Sequence, residues 1–185
     1  MKKQTTKEAI AGSFRELAAQ KDVSKITINE IVRNCGMSPA TFYRHFHDKY
    51  DLIGWMYSQK CDKIFQNFND SPARWEKTID AWIRFCTENK DLLINLFNNT
   101  SGYDSFLPKM VAKHVQLAED TITARNGKNA ITEKEHLKLY MYFSGLALFI
   151  CNWLMGKISA SREQLIEAIL ESLSTQENPQ VNPEE

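Results

Sequence analysis

Several features that would place this chain outside the ordinary globular class are missing from its sequence. There are seven glycines and five prolines in 185 residues, and no segment is repeated or of low complexity. The 23 basic residues balance 23 acidic ones, and 43% of the residues are hydrophobic. These absences exclude a collagen-like or a disordered chain, and the apolar content predicts a substantial core.

The cysteines show no pairing motif. Cys35, Cys61, Cys86 and Cys151 lie far apart, and no Cys-x-x-Cys pair occurs, which excludes a small disulfide-stapled module. The first residues are polar and basic without an apolar run behind them, so no signal peptide is expected. We therefore predict a cytoplasmic protein with reduced, mostly buried thiols.

Motifs for catalysis are missing as well. The sequence has no nucleophile–base pair, no paired-carboxylate motif and no phosphate-binding glycine loop. His114 and His136 have no second ligand at metal spacing. The prediction is a protein that is not an enzyme, uses no cofactor and holds no metal.

One uncharged run is long enough to be compared with a membrane-spanning helix. Residues 139–156 carry no charge, which reaches the lower limit of a membrane span. The run also contains tyrosine, serine, glycine and asparagine, and no second run of this kind exists. We therefore predict a helix buried in a core or a subunit interface, and no membrane partner.

Charge is unevenly distributed between the two parts of the chain. Residues 1–50 hold nine Lys or Arg against five Asp or Glu, a net charge of +4. Residues 51–185 hold 14 against 18, a net charge of −4. This asymmetry indicates an anionic partner for the N-terminal part alone, although chance produces differences of this size in small domains.

Apolar residues recur at helical spacing along most of the chain, which predicts an all-α fold of about nine helices. Capping boxes at Thr27, Thr132 and Ser161 mark three helix starts, and Ser38-Pro39 marks another. The predicted organisation is a three-helix unit over 1–50, a larger helical domain over 51–174, and a flexible tail over 175–185.

Two short helices in the first unit are joined by a turn at Gly36, which is typical of a helix-turn-helix. The second helix, predicted from Ser38 to about Phe46, is short enough to lie in the DNA major groove. Phe42 and Phe46 face inward, and the outward residues are small or can form hydrogen bonds. The pattern alone leaves two alternatives, a DNA-binding element and a helical hairpin that binds nothing.

Three consecutive motifs resemble the DNA-binding domain of the TetR family of transcriptional regulators. They are Thr27-Ile-Asn-Glu-Ile-Val, Cys35-Gly-Met-Ser-Pro-Ala-Thr-Phe-Tyr-Arg-His-Phe and Asp48-Lys-Tyr-Asp-Leu, within a resemblance that covers about residues 5–53. The family resemblance implies an N-terminal helix-turn-helix domain followed by a helical domain that binds a ligand and dimerises. Segments 89–96 and 142–153 resemble the C-terminal type found in regulators of dihydroxyacetone-kinase operons.

The function implied by the resemblance is that of an effector-responsive homodimeric repressor. It would bind a palindromic operator in double-stranded DNA and respond to a small molecule or protein that the sequence does not identify. The alternative is an activator or interaction module switched by a protein co-regulator.

The resemblance also implies which side chains contact DNA. Thr27, His45 and Lys49 match phosphate-contacting positions, and Tyr43 matches a tyrosine that contacts the backbone and sometimes a thymine methyl group. Arg44 either reads a guanine or is solvated. The residues that would face bases or adjacent phosphates from the leading end of the recognition helix are Ser38, Pro39, Ala40 and Thr41. Pro39 departs from the residues common there and leaves base reading to its neighbours.

Two apolar stripes near the C-terminus are candidates for a dimer interface. Four of the residues, Tyr142, Leu146, Phe149 and Trp153, belong to the penultimate helix, and Leu165 and Ile169 belong to the last. Two such helices per subunit can form a four-helix bundle between copies, and the alternative is a core within one chain. Between this pair and the first unit, aromatic residues at helical spacing predict either a pocket or ordinary core.

Overall fold

The computed structural model describes residues 5–66, 72–100, 106–126 and 131–177. Within these ranges the chain forms nine α-helices and one 3-10 turn and contains no strand, which confirms the predicted all-α class. The elements are α1 (Thr6–Ala18), the 3-10 turn (Val23–Lys25), α2 (Ile28–Asn34), α3 (Pro39–Tyr43), α4 (Lys49–Phe65), α5 (Pro72–Glu88), α6 (Lys90–Asn99), α7 (Phe106–Asn126), α8 (Glu133–Leu154) and α9 (Arg162–Glu177).

Helix starts follow the predicted capping chemistry. The side-chain oxygens of Thr27 and Thr132 each accept a hydrogen bond from the backbone amide of the glutamate three residues on. The carboxylate of that glutamate accepts one in return from the backbone amide of the threonine. Ser161 and Gln164 form the same reciprocal pair before α9. These side chains satisfy amides that have no partner inside the helix, so local sequence fixes where these three helices begin.

Helix ends differ from the prediction at two places. Helix α3 stops at Tyr43, three residues before the expected end, because the chain turns there to bring Phe46 into the core. Helix α9 continues to Glu177, so the first three residues of the predicted tail are helical. The rest of the predicted tail, 178–185, lies outside the described residues.

The first four helices and the remaining five share one hydrophobic core. Helices α1 to α3 and the start of α4, hereafter the head, contribute side chains such as Phe14, Phe42 and Leu52. Helices α5 to α9 and the rest of α4, hereafter the body, contribute Ile83, Met110 and others to the same cluster. Helix α4 belongs to both parts and packs against α1, α5 and α7. The head is therefore braced directly by the body.

A second connection between head and body is polar. The last residue of α1 and the segment after it present backbone groups that no helix satisfies, and Asn95 of α6 binds three of them. Its Oδ1 accepts from the Val23 amide at 3.0 Å, and its Nδ2 donates to the carbonyls of Ala18 and Lys21, also at 3.0 Å. We call this arrangement the Asn95 clamp. It fixes the position of the segment that leads into α2.

Replacing Asn95 with Ala should lower the free energy of unfolding by about 2–3 kcal/mol, because three partly buried backbone groups lose their partner. Urea denaturation followed by circular dichroism measures this loss. Asn98→Ala is the matched control, since Asn98 is exposed on the same helix. Equal destabilisation by the two substitutions would contradict the role assigned to the Asn95 clamp.

Candidate nucleic-acid interface

The turn between α2 and α3 is set by backbone geometry. Gly36 has φ +68°, a left-handed conformation that glycine adopts without steric penalty. The Met37 amide donates to the Val32 carbonyl at 2.7 Å, and the Gly36 amide donates to the Arg33 carbonyl at 3.2 Å. This pattern, a Schellman-type helix end, closes α2 and turns the chain. Ser38 then caps α3 by accepting a hydrogen bond from the Thr41 amide.

Helix α1 holds α2 through buried and half-buried polar contacts. Ser13 donates its hydroxyl proton to the Ile31 carbonyl at 2.6 Å. The Asn34 side-chain amide donates to Ser13 Oγ at 3.1 Å and to Glu16 Oε2 at 2.8 Å. These bonds fix the rotation of α2 about its own axis. The same helix therefore supports the turn and, through it, α3.

Helix α3 has one buried and one exposed side. Phe42 is fully buried and Phe46 nearly so, and their rings contact each other at 5.7 Å between centroids. Tyr43 is 59% exposed and stands edge-on to the Phe42 ring. Ser38, Pro39, Ala40 and Arg44 are also exposed, and Thr41 and His45 are half-buried. The structure thus brings the predicted residues of this helix together on its solvent-facing side.

Hydrogen bonds organise the polar residues of that side before any ligand is present. The Ser38 and Thr41 hydroxyls lie 3.0 Å apart, and Arg44 Nη2 donates to Thr41 Oγ1 at 3.3 Å. Thr27, at the start of α2, donates its hydroxyl proton to Glu30 Oε2 at 2.9 Å. Thr27 is exposed, so its hydroxyl oxygen is accessible to solvent. The bond to Glu30 fixes the orientation of that hydroxyl group.

Lys49 does not occupy the position expected of a phosphate ligand. Its Nζ donates to the carbonyls of Val23, Ser24 and Ile26, each at 2.9 Å. An ammonium group has three donors, so all of them are used inside the protein. Burial lowers the pKa of Lys49 below its ordinary value. The expected direct phosphate contact is therefore corrected to a structural role, in which Lys49 fastens the start of α4 to the segment before α2.

The contact between Lys7 and two aromatic rings is not predicted by the sequence. From the sequence alone, Lys2, Lys3 and Lys7 form either an arm toward the minor groove or a solvated tail, and the tail is the prediction. Lys7 instead lies in α1, with its Nζ 5.2 Å from the Phe46 ring and 5.5 Å from the Trp55 ring. A cation over two aromatic faces is attracted by their quadrupoles. Lys2 and Lys3 lie outside the described residues.

The dimer stripe predicted on the last two helices is corrected in part. Leu165 is 1% exposed and Ile169 is 4% exposed, so both are buried in the core of their own chain. Of the predicted α8 residues, Leu146, Phe149 and Trp153 are half-buried against the same core. The Tyr142 hydroxyl lies 2.7 Å from the Ser172 hydroxyl on α9. Leu165 and Ile169 therefore belong to the interior, and the four α8 residues lie at its edge, where contact with a second copy stays a prediction.

A different stripe on α8 remains in solvent. Leu137, Tyr140, Met141 and Leu148 are each about half exposed or more, with Met141 at 75%. Gly145 lies on the same side, and nothing is within 4 Å of where its side chain would be. We call these residues the outer α8 stripe. They follow helical spacing, and Gly145 leaves room for close approach of another surface.

The body interior contains polar groups that are satisfied within the core. The Tyr57 hydroxyl lies 2.8 Å from His114 Nε2, and Trp82 Nε1 donates to the same hydroxyl at 3.3 Å. Burial lowers the pKa of His114 to about 3, so the ring is neutral at physiological pH. Among the described residues no group of three or more His, Cys, Asp or Glu is arranged to hold a metal.

Within the described ranges, α8 is the one helix whose length and mean hydropathy of 1.3 would suit a membrane span. A single helix of this kind is weak evidence, because the core helices of soluble proteins have the same composition. Ile150 and Leu154 are buried against the rest of the chain.

The geometry of α1, α2 and α3 defines a helix-turn-helix protein. Comparison with known sequences makes the class specific: residues 14–54 match the family described as bacterial regulatory proteins, tetR family. The matched residues run from α1 to the start of α4, so this similarity lies in the head. An uncharacterized HTH-type transcriptional regulator of Haemophilus influenzae is 23% identical over 122 residues, which cover 62% of this chain and 60% of that protein.

Solved structures with the same fold cover nearly the whole chain. A TetR transcriptional regulator from Rhodococcus sp. RHA1 aligns with a TM-score of 0.65 and 18% identity, over 95% of this chain and 96% of that one. The dihydroxyacetone kinase operon activator DhaS aligns with a TM-score of 0.61 and 17% identity, over 92% and 95%. The head and the body together therefore have the fold of these two solved structures.

Glu30 gives a test of how the start of α2 is held. Its carboxylate binds Lys21 Nζ at 2.5 Å and the Thr27 cap, and these contacts lower its pKa from 4.5 to about 2. An acid with a depressed folded-state pKa stabilises the fold above its unfolded pKa and loses that contribution as pH falls. The urea midpoint of the wild type should therefore fall more steeply than that of Glu30→Gln between pH 4.5 and pH 2.

Glu76→Gln is the control, since Glu76 is an exposed glutamate of α5. Its urea midpoint should follow that of the wild type over the same pH range. Parallel pH profiles for the wild type and Glu30→Gln would show that the Lys21 and Thr27 contacts do not act on the carboxylate in solution.

Proposed function

We propose that the protein is a homodimeric transcriptional regulator that binds a palindromic operator in double-stranded DNA through α3. The observation that carries the proposal is the exposed side of α3 and the turn after it. Residues 38–47 contain no acidic side chain, and Phe42 and Phe46 anchor this segment from behind. A short, rigidly held and acid-free helix can approach the negatively charged major groove.

Electrostatics favour the head as the DNA-binding part. Residues 1–50 carry a net charge of +4, and the rest of the chain carries −4. Neutralising phosphates releases condensed counterions, which supplies much of the affinity of such complexes. The acidic body is repelled by the same phosphates, so the charge distribution favours an orientation with the head toward DNA.

The outward residues of α3 fall into two groups. Ala40 and Thr41 stand at the leading end of the helix, where a small side chain can contact a thymine methyl group and a hydroxyl can bond to a base edge. Tyr43 projects furthest into solvent and reaches the backbone or a thymine. Thr27, Ser38, Arg44 and His45 contribute bonds to phosphates, which fix the register of the protein on the duplex. Pro39 supplies shape and no donor.

Lys49 contributes indirectly in this proposal. Because its ammonium group is bound to three carbonyls, it fixes the segment that leads into α2. The position of Thr27 follows from that segment. Lys49 therefore sets the distance between Thr27 and α3 rather than adding a phosphate contact of its own.

Dimerisation is proposed through the outer α8 stripe. Leu137, Met141 and Leu148 are apolar and exposed, and burying them against the same stripe of a second copy would remove their side chains from water. A two-fold axis then pairs two heads. A dimer that binds successive major grooves places its recognition helices about 34–36 Å apart, or further for a longer operator.

The protein is proposed to repress transcription. An effector that favours a different arrangement of the two heads would relieve this repression. An effector shifts the equilibrium only by its difference in affinity for the two arrangements. A second candidate is an activator switched by a protein co-regulator. The structural neighbour that is named as the activator of a dihydroxyacetone kinase operon supports that alternative.

The proposal is tested by selecting bound sequences from random duplex DNA with purified protein at moderate salt. Enrichment of a palindromic site supports a two-fold dimer that reads DNA through α3. Enrichment only when a cellular extract is added supports the co-regulator alternative. No enrichment under either condition contradicts DNA binding through this surface.

Tyr43→Ala should weaken operator binding about tenfold or more, because base and backbone contacts of this kind are worth about 1–3 kcal/mol. The side chain is 59% exposed, so stability and dimerisation should not change. Fluorescence anisotropy with the selected operator measures the affinity. His47→Ala is the control, since His47 is exposed just beyond α3 and should affect binding little. Wild-type affinity in Tyr43→Ala would refute the assignment of α3 as the recognition helix.

Met141→Glu should convert the dimer into a folded monomer, because it places two like charges at the centre of a paired apolar surface. Analytical ultracentrifugation measures the oligomeric state. Ala112→Glu, on the exposed side of α7, is the matched control and should leave the dimer intact. A Met141→Glu protein that still sediments as a dimer would exclude the outer α8 stripe from the interface.

A further inference from the structure

A cavity of about 270 Å³ lies where α1 of the head meets α4 and α6 of the body. Its floor is apolar and comes from both parts of the chain. Phe14 of α1, Ile53 of α4 and Leu96 of α6 are all nearly inaccessible to solvent, as are Tyr57, Leu93 and Phe106. A floor of this kind favours the apolar part of a ligand, because binding removes that part from water.

The solvent side of the cavity is positively charged. Arg15, Lys60 and Lys63 line it and are exposed, and none of them forms an ion pair within the described part of the chain. Among the described residues that line the cavity, Glu8 is the one acid, and it accepts a hydrogen bond from the Thr5 amide at 2.8 Å as part of the α1 capping box. The rim therefore presents three cations against one carboxylate, above an apolar floor.

We propose that this cavity binds an amphipathic monoanion, with an apolar chain or ring on the floor and a carboxylate or similar acid at Arg15, Lys60 and Lys63. The volume sets the size of the ligand. At about 270 Å³ the cavity lies just below the usual range of small-molecule sites, so it suits a ligand of modest size. A cationic ligand of the same size is repelled by the positive charges at the rim, and a neutral ligand gains no electrostatic attraction from them.

The position of the cavity also links its occupant to the head. One wall is α1, through Ala11 and Phe14, and another is α6, through Leu92 and Leu96. Asn95, which clamps the segment between α1 and α2, lies between the last two on the same helix. A ligand wedged between α1 and α6 therefore biases how the head sits on the body. This regulatory step rests on the proposed function, whereas the binding site does not.

Binding is tested by isothermal titration calorimetry with three probes of equal chain length: octanoate, octan-1-ol and octylammonium, below the concentrations at which they form micelles. Octanoate should bind at least tenfold more tightly than octylammonium, with octan-1-ol also weaker. Trp55 lines the cavity, so the change in tryptophan fluorescence on binding should be lost in Trp55→Phe. Equal affinity for octanoate and octylammonium would overturn the proposal.

Charge-matched variants locate the site. The double variant Lys60→Gln, Lys63→Gln should weaken octanoate binding about five- to tenfold, the range expected for two partly exposed ion pairs. The control Lys134→Gln, Lys138→Gln removes two exposed lysines from α8 and should leave binding unchanged. All four positions are exposed, so folding is preserved in both proteins. Equal losses in the two double variants would place the anion elsewhere and refute the site.

The regulatory step is measured as the change in operator affinity when octanoate is added. The expected result is a several-fold change in the wild type that Lys60→Gln, Lys63→Gln strongly reduces. Octanoate binding without any change in operator affinity would overturn the regulatory step. A protein that binds octanoate and no DNA sequence would refute the proposed function and leave the cavity assignment standing. Operator binding without octanoate binding would refute the cavity assignment alone.

Discussion

The position of the head depends on satisfying the backbone polar groups between α1 and α2. This segment has little secondary structure of its own, and a buried amide or carbonyl without a partner is strongly destabilising. Asn95 from α6 and Lys49 from α4 supply the partners. Val23 is held by both, its amide by Asn95 and its carbonyl by Lys49. The start of α2, the turn and α3 all follow from where this segment is fixed.

Features that depend on near neighbours in the chain could be predicted from the sequence. The capping box at Thr27 needs only Glu30, and the turn at Gly36 needs only a residue that tolerates positive φ. The inward positions of Phe42 and Phe46 follow from helical spacing. Each of these interactions is complete within a few residues, so the local sequence contains the information that determines it.

Features that depend on distant partners could not be predicted in the same way. Lys49 and Lys7 look like free surface lysines until carbonyls and aromatic rings from other elements surround them. The same limit applied to α8, which is apolar on more than one side. Periodicity identifies an apolar helix but not which of its sides faces the core. The sequence therefore predicts an interface for Leu165 and Ile169 of α9, which the structure places in the interior.

The double attachment of Val23 makes its amide proton a reporter of the connection between the two parts of the molecule. A residue in a three-residue turn near the surface of a small domain ordinarily exchanges its amide hydrogen with solvent quickly. Here that hydrogen is bonded to a side chain 72 residues further along the chain. Its exchange with deuterium therefore requires the head to separate from α6, and the rate of that exchange records how often the head and body come apart.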